Sequence, residues 1–223
     1  LFVLRYSCLL LFVLTVWLQA RRLGVAGHPM TWLICLLGVL MSQSAAFIKP
    51  EIFSYVLMTL TVLAWWHIKS SGKTAWRTCY LFPVLMVIWA NSHGGFIFGA
   101  LFLCVMGFGE TLNAFCSPKE ALSPQVRRHL FVALFLSGLA IFVTPYGWRY
   151  PAYLLPSLLG KSVESRRVIM AYSSALDPRA FKFHYATYLI LGGLIVLGLL
   201  WPHVKRKRLD WAVLLTNLTF AIL

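Results

Sequence analysis

Apolar runs long enough to cross a bilayer recur from one end of this chain to the other, and they constrain its fold more than any motif does. A spanning helix takes about 20 mostly apolar residues, within a usable range of about 17 to 25. On that measure spans fall at 1–20, 31–47, 52–68, 79–93, 95–113, 129–145, 186–202 and 210–223. The expected fold is all-α, a polytopic integral membrane protein of about eight transmembrane helices with the last one truncated. Only 12% of the 223 residues are charged, about half of what a soluble domain uses to cover its surface. The runs are too many for one buried core, so the main solvent is lipid.

No repeat and no Ser-, Pro- or Gly-rich linker divides residues 1–223, which read as a single transmembrane helical domain. The chain opens on Leu1 and stops within the apolar run at 211–223, so it is expected to be a fragment of something longer. Arg21-Arg22 follows the first run where a secretory signal would carry a small-residue cleavage site, which argues against a signal peptide. The five cysteines show no CxxC spacing and lie mostly in or beside apolar runs, as small core hydrophobes do.

The net charge of +14 would suggest nucleic acid in a soluble chain. Here the cations sit in short loops between apolar runs, a distribution that orients a membrane protein rather than lining a DNA groove, and no nucleic-acid partner is expected. The same bias resolves the stretch 81–107, apolar apart from Asn91-Ser92-His93-Gly94-Gly95. One kinked helix would separate Lys69, Lys73 and Arg77 from Lys119, Arg127 and Arg128, whereas a hairpin of two short helices keeps them on one side. The hairpin is favoured. The cytoplasmic loops then also hold Arg21, Arg22 and Lys205-Arg206-Lys207-Arg208, while the short outside loops hold only Lys49. Trp17, Trp65, Trp66 and Trp201 fall at inner helix ends and Trp89, Trp148 and Tyr188 at outer ends, as interfacial belts require. The long segment 146–185 departs from the rule, with six cations against Glu164 and Asp177 on the outside.

Three polar clusters reach the outer face on this topology. Lys49-Pro50-Glu51 reads as a loop closing on a helix start, with Glu51 at the positive end of the dipole, or as a phosphate-binding cation beside a carboxylate. Asn91-Ser92-His93-Gly94-Gly95 reads as a plain turn, or as a polar site, since His at membrane depth is expensive without a partner or a water-filled cavity. Thr144-Pro145-Tyr146-Gly147-Trp148-Arg149 reads as an aromatic anchor with a snorkelling Arg, or as a guanidinium placed to fork two hydrogen bonds to phosphate. Arg166 and Arg167 add cations that bind an anion or contact headgroups. Gly95, Gly99 and Gly107 form a small-residue helix-contact face. Arg5 and Glu110 can snorkel from span ends and take no role. The histidines show no i, i+4 pairing for a metal site, and no GxSxG, Walker or dinucleotide motif occurs.

Three segments stand in order: Lys49-Pro50-Glu51-Ile52-Phe53-Ser54-Tyr55, Trp89-Ala90-Asn91-Ser92-His93-Gly94-Gly95-Phe96 and Thr144-Pro145-Tyr146-Gly147. Their order resembles a bacterial family of polytopic membrane proteins related to the GT-C glycosyltransferases, the superfamily of the protein O-mannosyltransferases. That family's pattern is Arg-Pro-Glu/Gln with Phe and Ser/Thr-Tyr, then Trp-x-Asn-x-His-Gly-Gly-Phe, then Asn-Pro-Tyr-Gly. Lys49 and Thr144 depart from it, and Lys49 loses bidentate phosphate geometry. The resemblance implies a multi-pass protein of the bacterial inner membrane whose partner is a lipid-linked sugar, a polyprenyl-phosphate donor held at the outer face. Lys49 and Arg149 would be its phosphate cations, with Asn91, His93, Tyr146, Arg166 and Arg167 lining the same site. Glu51 and His93 are the candidate catalytic groups. The acidic first outer loop of such enzymes would lie upstream of Leu1, and no cofactor or metal is assigned. Two other classes fit the residues: a transporter with a discontinuous helix at 91–95, and a non-catalytic membrane subunit.

Overall fold

The computed structural model describes residues 51–150, 152 and 209–222, together with positions 6–7, 10–11, 13–14, 17–18, 21, 26–29, 31–33 and 36. Every regular element among them is helical: α1 (Glu51–Ser71), a 3-10 helix (Gly72–Tyr80), α2 (Leu81–Ser92), α3 (Phe96–Cys116), α4 (Pro124–Ala140) and α5 (Trp211–Ile222). The expected spans at 1–20 and 31–47 are described only at scattered positions, and 186–202 lies outside the described residues.

Among the described residues α3 alone is long and apolar enough to cross a membrane. Its 21 residues rise about 31 Å at 1.5 Å each, the thickness of a hydrocarbon core. The expected segments 52–68 and 210–223 fall on α1 and α5, and two others are redrawn. The segment 79–93 becomes the 12-residue α2, only about 18 Å long, preceded by nine residues of 3-10 helix. Gly72, at φ +61, ends α1 in the left-handed conformation that glycine adopts without strain. The 3-10 run buries Ala75 and Cys79. It is longer than 3-10 runs usually are, and packing rather than hydrogen-bond geometry accounts for its length. The segment 129–145 starts earlier, at Pro124, where a missing N–H costs nothing and Ser123 precedes the first turn.

Contacts between residues far apart in sequence fix the topology. Ser54 meets His93 at one end of α1, and Lys69 meets Glu110 at the other, so α1 and α3 run parallel. Tyr80 touches His129 and Asn91 touches Val143, so α2 and α4 are parallel to each other and antiparallel to the first pair. The chain therefore reverses at 93–95 in a hairpin. α5 starts beside Glu110 and packs along α3 more extensively than any other pair of elements.

Large side chains such as Trp65, Phe82, Trp89 and Met106 fill the core, while α3 and α4 also carry large apolar side chains on their outer faces. Along α4 the buried residues are Val126, Leu130, Ala133, Ser137 and Ala140, whereas Phe131, Phe135 and Leu139 face outward. On α3, Phe98, Phe108 and Phe115 are exposed, while Gly99, Gly107 and Gly109 lie at helix contacts. Gly109 abuts the backbone of Ala212, a contact no side chain would permit. Large apolar surfaces of this kind are unfavourable in water.

Candidate functional site

The chain reversal between α2 and α3 builds a polar cluster at one end of the helices. His93 leaves α2 in extended conformation, which turns its ring back toward the first turn of α1. Its Nδ1 lies 2.8 Å from Ser54 Oγ and accepts the Gly95 N–H at 3.1 Å. The Trp89 indole N–H donates to Ser54 Oγ at 2.8 Å. The indole can only donate, so Ser54 Oγ accepts there, and because Nδ1 already accepts the Gly95 N–H, the Ser54 hydroxyl donates its hydrogen bond to Nδ1. Nδ1 is thus an acceptor, and the neutral ring carries its proton on Nε2, a tautomer assigned from its partners. Gly95 is buried, and a Cβ there would collide with Ser54 Oγ.

The third expected segment docks on this cluster. Asn91 Nδ2 donates to Val87 O at 2.8 Å and Val143 O at 2.7 Å, tying α2 to the chain just beyond α4. Asn91 therefore works as a strap, and its amide nitrogen is already engaged. Tyr150 packs on Phe96 with ring centroids 5.6 Å apart and Tyr146 stands 6.1 Å from Tyr150. Gly147, at φ +52, makes the turn between them. Arg149 is exposed on that turn. Thr144 Oγ1 is buried with no hydrogen-bond partner among the described residues.

His93, Asn91, Tyr146 and Arg149 are thus brought to one end of the helices. Glu51 opens α1 three residues before Ser54. Lys49, Arg166 and Arg167 lie outside the described residues. Ser54 is the residue that sequence reasoning missed, although it sits inside the first quoted segment. Among the described residues, no three His, Cys, Asp or Glu side chains come together as metal ligands.

A second polar centre occupies the opposite end. Glu110 has no exposed surface, which corrects the expectation that it snorkels. The Lys69 ammonium uses all three protons, on Glu110 Oε1 at 2.8 Å, Asp210 Oδ2 at 2.8 Å and Glu120 O at 2.7 Å. Asn113 donates to Glu110 Oε1 and Asp210 Oδ1 and accepts the Trp211 N–H. Leu122 N–H donates to Glu110 Oε2, and Asp210 caps α5 through Val213 N–H. A buried charge set survives when each member is paired and hydrogen-bonded, as here.

The fold and its sites define an all-α protein with two polar ends joined by apolar helices. No protein-family model, curated protein or solved structure matches this chain.

Proposed function

We propose that the chain is the membrane domain of a GT-C-like glycosyltransferase. On this reading it is a multi-pass protein of the bacterial inner membrane, and a polyprenyl-phosphate-linked sugar binds at its outer face. The observation that carries the reading is the convergence of three separated segments: Ser54, Trp89 with His93 and Gly95, and the turn holding Tyr146 and Arg149. The outward apolar faces of α3 and α4 support a lipid solvent.

With Nδ1 occupied, His93 acts as a donor through Nε2–H rather than as a base. A donor there and the Arg149 guanidinium suit a departing phosphate, whose charge grows as the sugar leaves. The acceptor hydroxyl then needs a carboxylate base, and Glu51 is the acid of this chain nearest to Ser54 in sequence. The reversal at 93–95 supports a hairpin over the discontinuous helix that the transporter reading would use.

Undecaprenyl phosphate is expected to bind the protein purified from carbonate-washed membranes. His93→Ala and Arg149→Gln should each weaken it about tenfold, the value of a charge-assisted hydrogen bond. Undecaprenol, lacking the phosphate, should bind far less. Equal binding of the two lipids would sink the transferase reading in favour of a non-catalytic subunit.

A further inference from the structure

Beside the Lys69 network, the outer surface of the same end carries a groove of about 720 Å³ lined by Tyr80, Pro124, Gln125, Arg128, His129 and Val132. Its floor is prearranged. Trp76 stacks on the His129 ring at 4.7 Å and holds the Arg77 guanidinium 5.3 Å from its own ring. Tyr80 OH lies 2.8 Å from His129 Nδ1. A hydroxyl donating there leaves the ring proton on Nε2, a second donor beside the Arg128 guanidinium. Gln125 adds a polar group to the lining, and from Val132 an apolar surface continues one turn along α4 onto exposed Phe135 and Leu136.

We propose that this groove binds an anionic phospholipid, its phosphodiester on Arg128 and His129 and an acyl chain along Val132 and the outer face of α4. Two features select such a ligand over a soluble anion: cationic donors at one end of the groove, and an uninterrupted apolar track leaving it. Among the described residues the two ion pairs both belong to Lys69 and none involves Arg128. Basic pockets at the cytoplasmic ends of helices hold lipid headgroups by this combination. The inference rests on the membrane placement of the chain and is independent of transfer chemistry at the His93 end.

Native mass spectrometry tests it, with the full chain extracted from carbonate-washed membranes into neutral detergent and titrated with phosphatidylglycerol or phosphatidylcholine. One phosphatidylglycerol should be retained at concentrations where phosphatidylcholine leaves none. Arg128→Gln should weaken retention about tenfold and His129→Ala by a smaller factor. Lys119→Gln, which removes an exposed cation at the same end but outside the groove, should leave it unchanged. Equal losses for Arg128→Gln and Lys119→Gln would mean diffuse surface charge and overturn the proposal. Equal retention of both lipids, or displacement by an equimolar amount of inorganic phosphate, would overturn it as well. Loss of the chain in the carbonate wash would instead remove the membrane placement beneath it.

Discussion

Glu110 shows what one residue can decide in an apolar helix. Its two carboxylate oxygens take hydrogen bonds from Lys69, Asn113 and Leu122, so they join α1, α3 and the chain before α4. Glu110→Ala should destabilise the protein by about 2–4 kcal/mol, because Lys69 loses one of its two carboxylates and the buried Leu122 N–H is left without its acceptor. Thermal unfolding in detergent should show the loss, and Phe115→Ala, at an exposed position on the same helix, should cost much less. At the other end the prediction concerns a proton. Nitrogen NMR of labelled His93 should report an unprotonated Nδ1 and a protonated Nε2. Ser54→Ala should keep that tautomer through the Gly95 N–H, while Gly95→Ala, which drives a methyl into Ser54, should disturb it. A ring protonated on Nδ1 would overturn the donor role given to His93.

Helix by helix, the outcome depends on which residues allow close approach. Gly109 lets the backbones of α3 and α5 touch at Ala212. Backbone cannot move aside as a flexible side-chain end can, so Gly109→Ala should destabilise by about 1–3 kcal/mol. Gly107→Ala meets only the tip of Leu134 and should be milder in the same unfolding assay. Part of this level was legible: apolar length pointed to α1 and α3, and Gly99 and Gly107 of the expected face lie at contacts, but Gly109, which meets the Ala212 backbone, was not among the glycines singled out. The redrawn elements were less so. Hydropathy does not separate a 3-10 turn from an α-helix, and the Pro124 start overrode an apolar window that continued to residue 145. The Lys69, Glu110 and Asp210 set was not legible, because partners 41 residues apart or more leave no local periodicity. The three quoted segments were visible as motifs, but that Ser54 orients His93 followed only from the topology.

At the scale of the molecule, the cations of the described helices predict one orientation on the proposed membrane placement. The end holding Lys69 also carries Arg77, Lys119, Arg127 and Arg128, whereas Arg149 is the cation on the turn at the His93 end. Moving one charge across a membrane potential costs about 2.3 kcal/mol per 100 mV. On the proposed membrane placement, the three-cation surplus of Arg77, Lys119, Arg127 and Arg128 over Arg149 predicts the Lys69 end on the cytoplasmic side and the His93 end outside. The test is single-cysteine labelling of intact cells with an impermeant maleimide, in a background with the native cysteines replaced. That background is needed because Cys104 and Cys116 are exposed. Ser92→Cys and Tyr146→Cys should react in intact cells, and Ser70→Cys and Lys119→Cys only after the membrane is opened. Positions 92 and 146 reacting from opposite sides would dissolve the shared site, since Asn91 and Val143 could not then meet. Labelling of all four with sides exchanged would keep the helices as described and place the Ser54, Trp89 and His93 cluster in the cytosol. A lipid-linked sugar donor at the outer face could then no longer be its ligand.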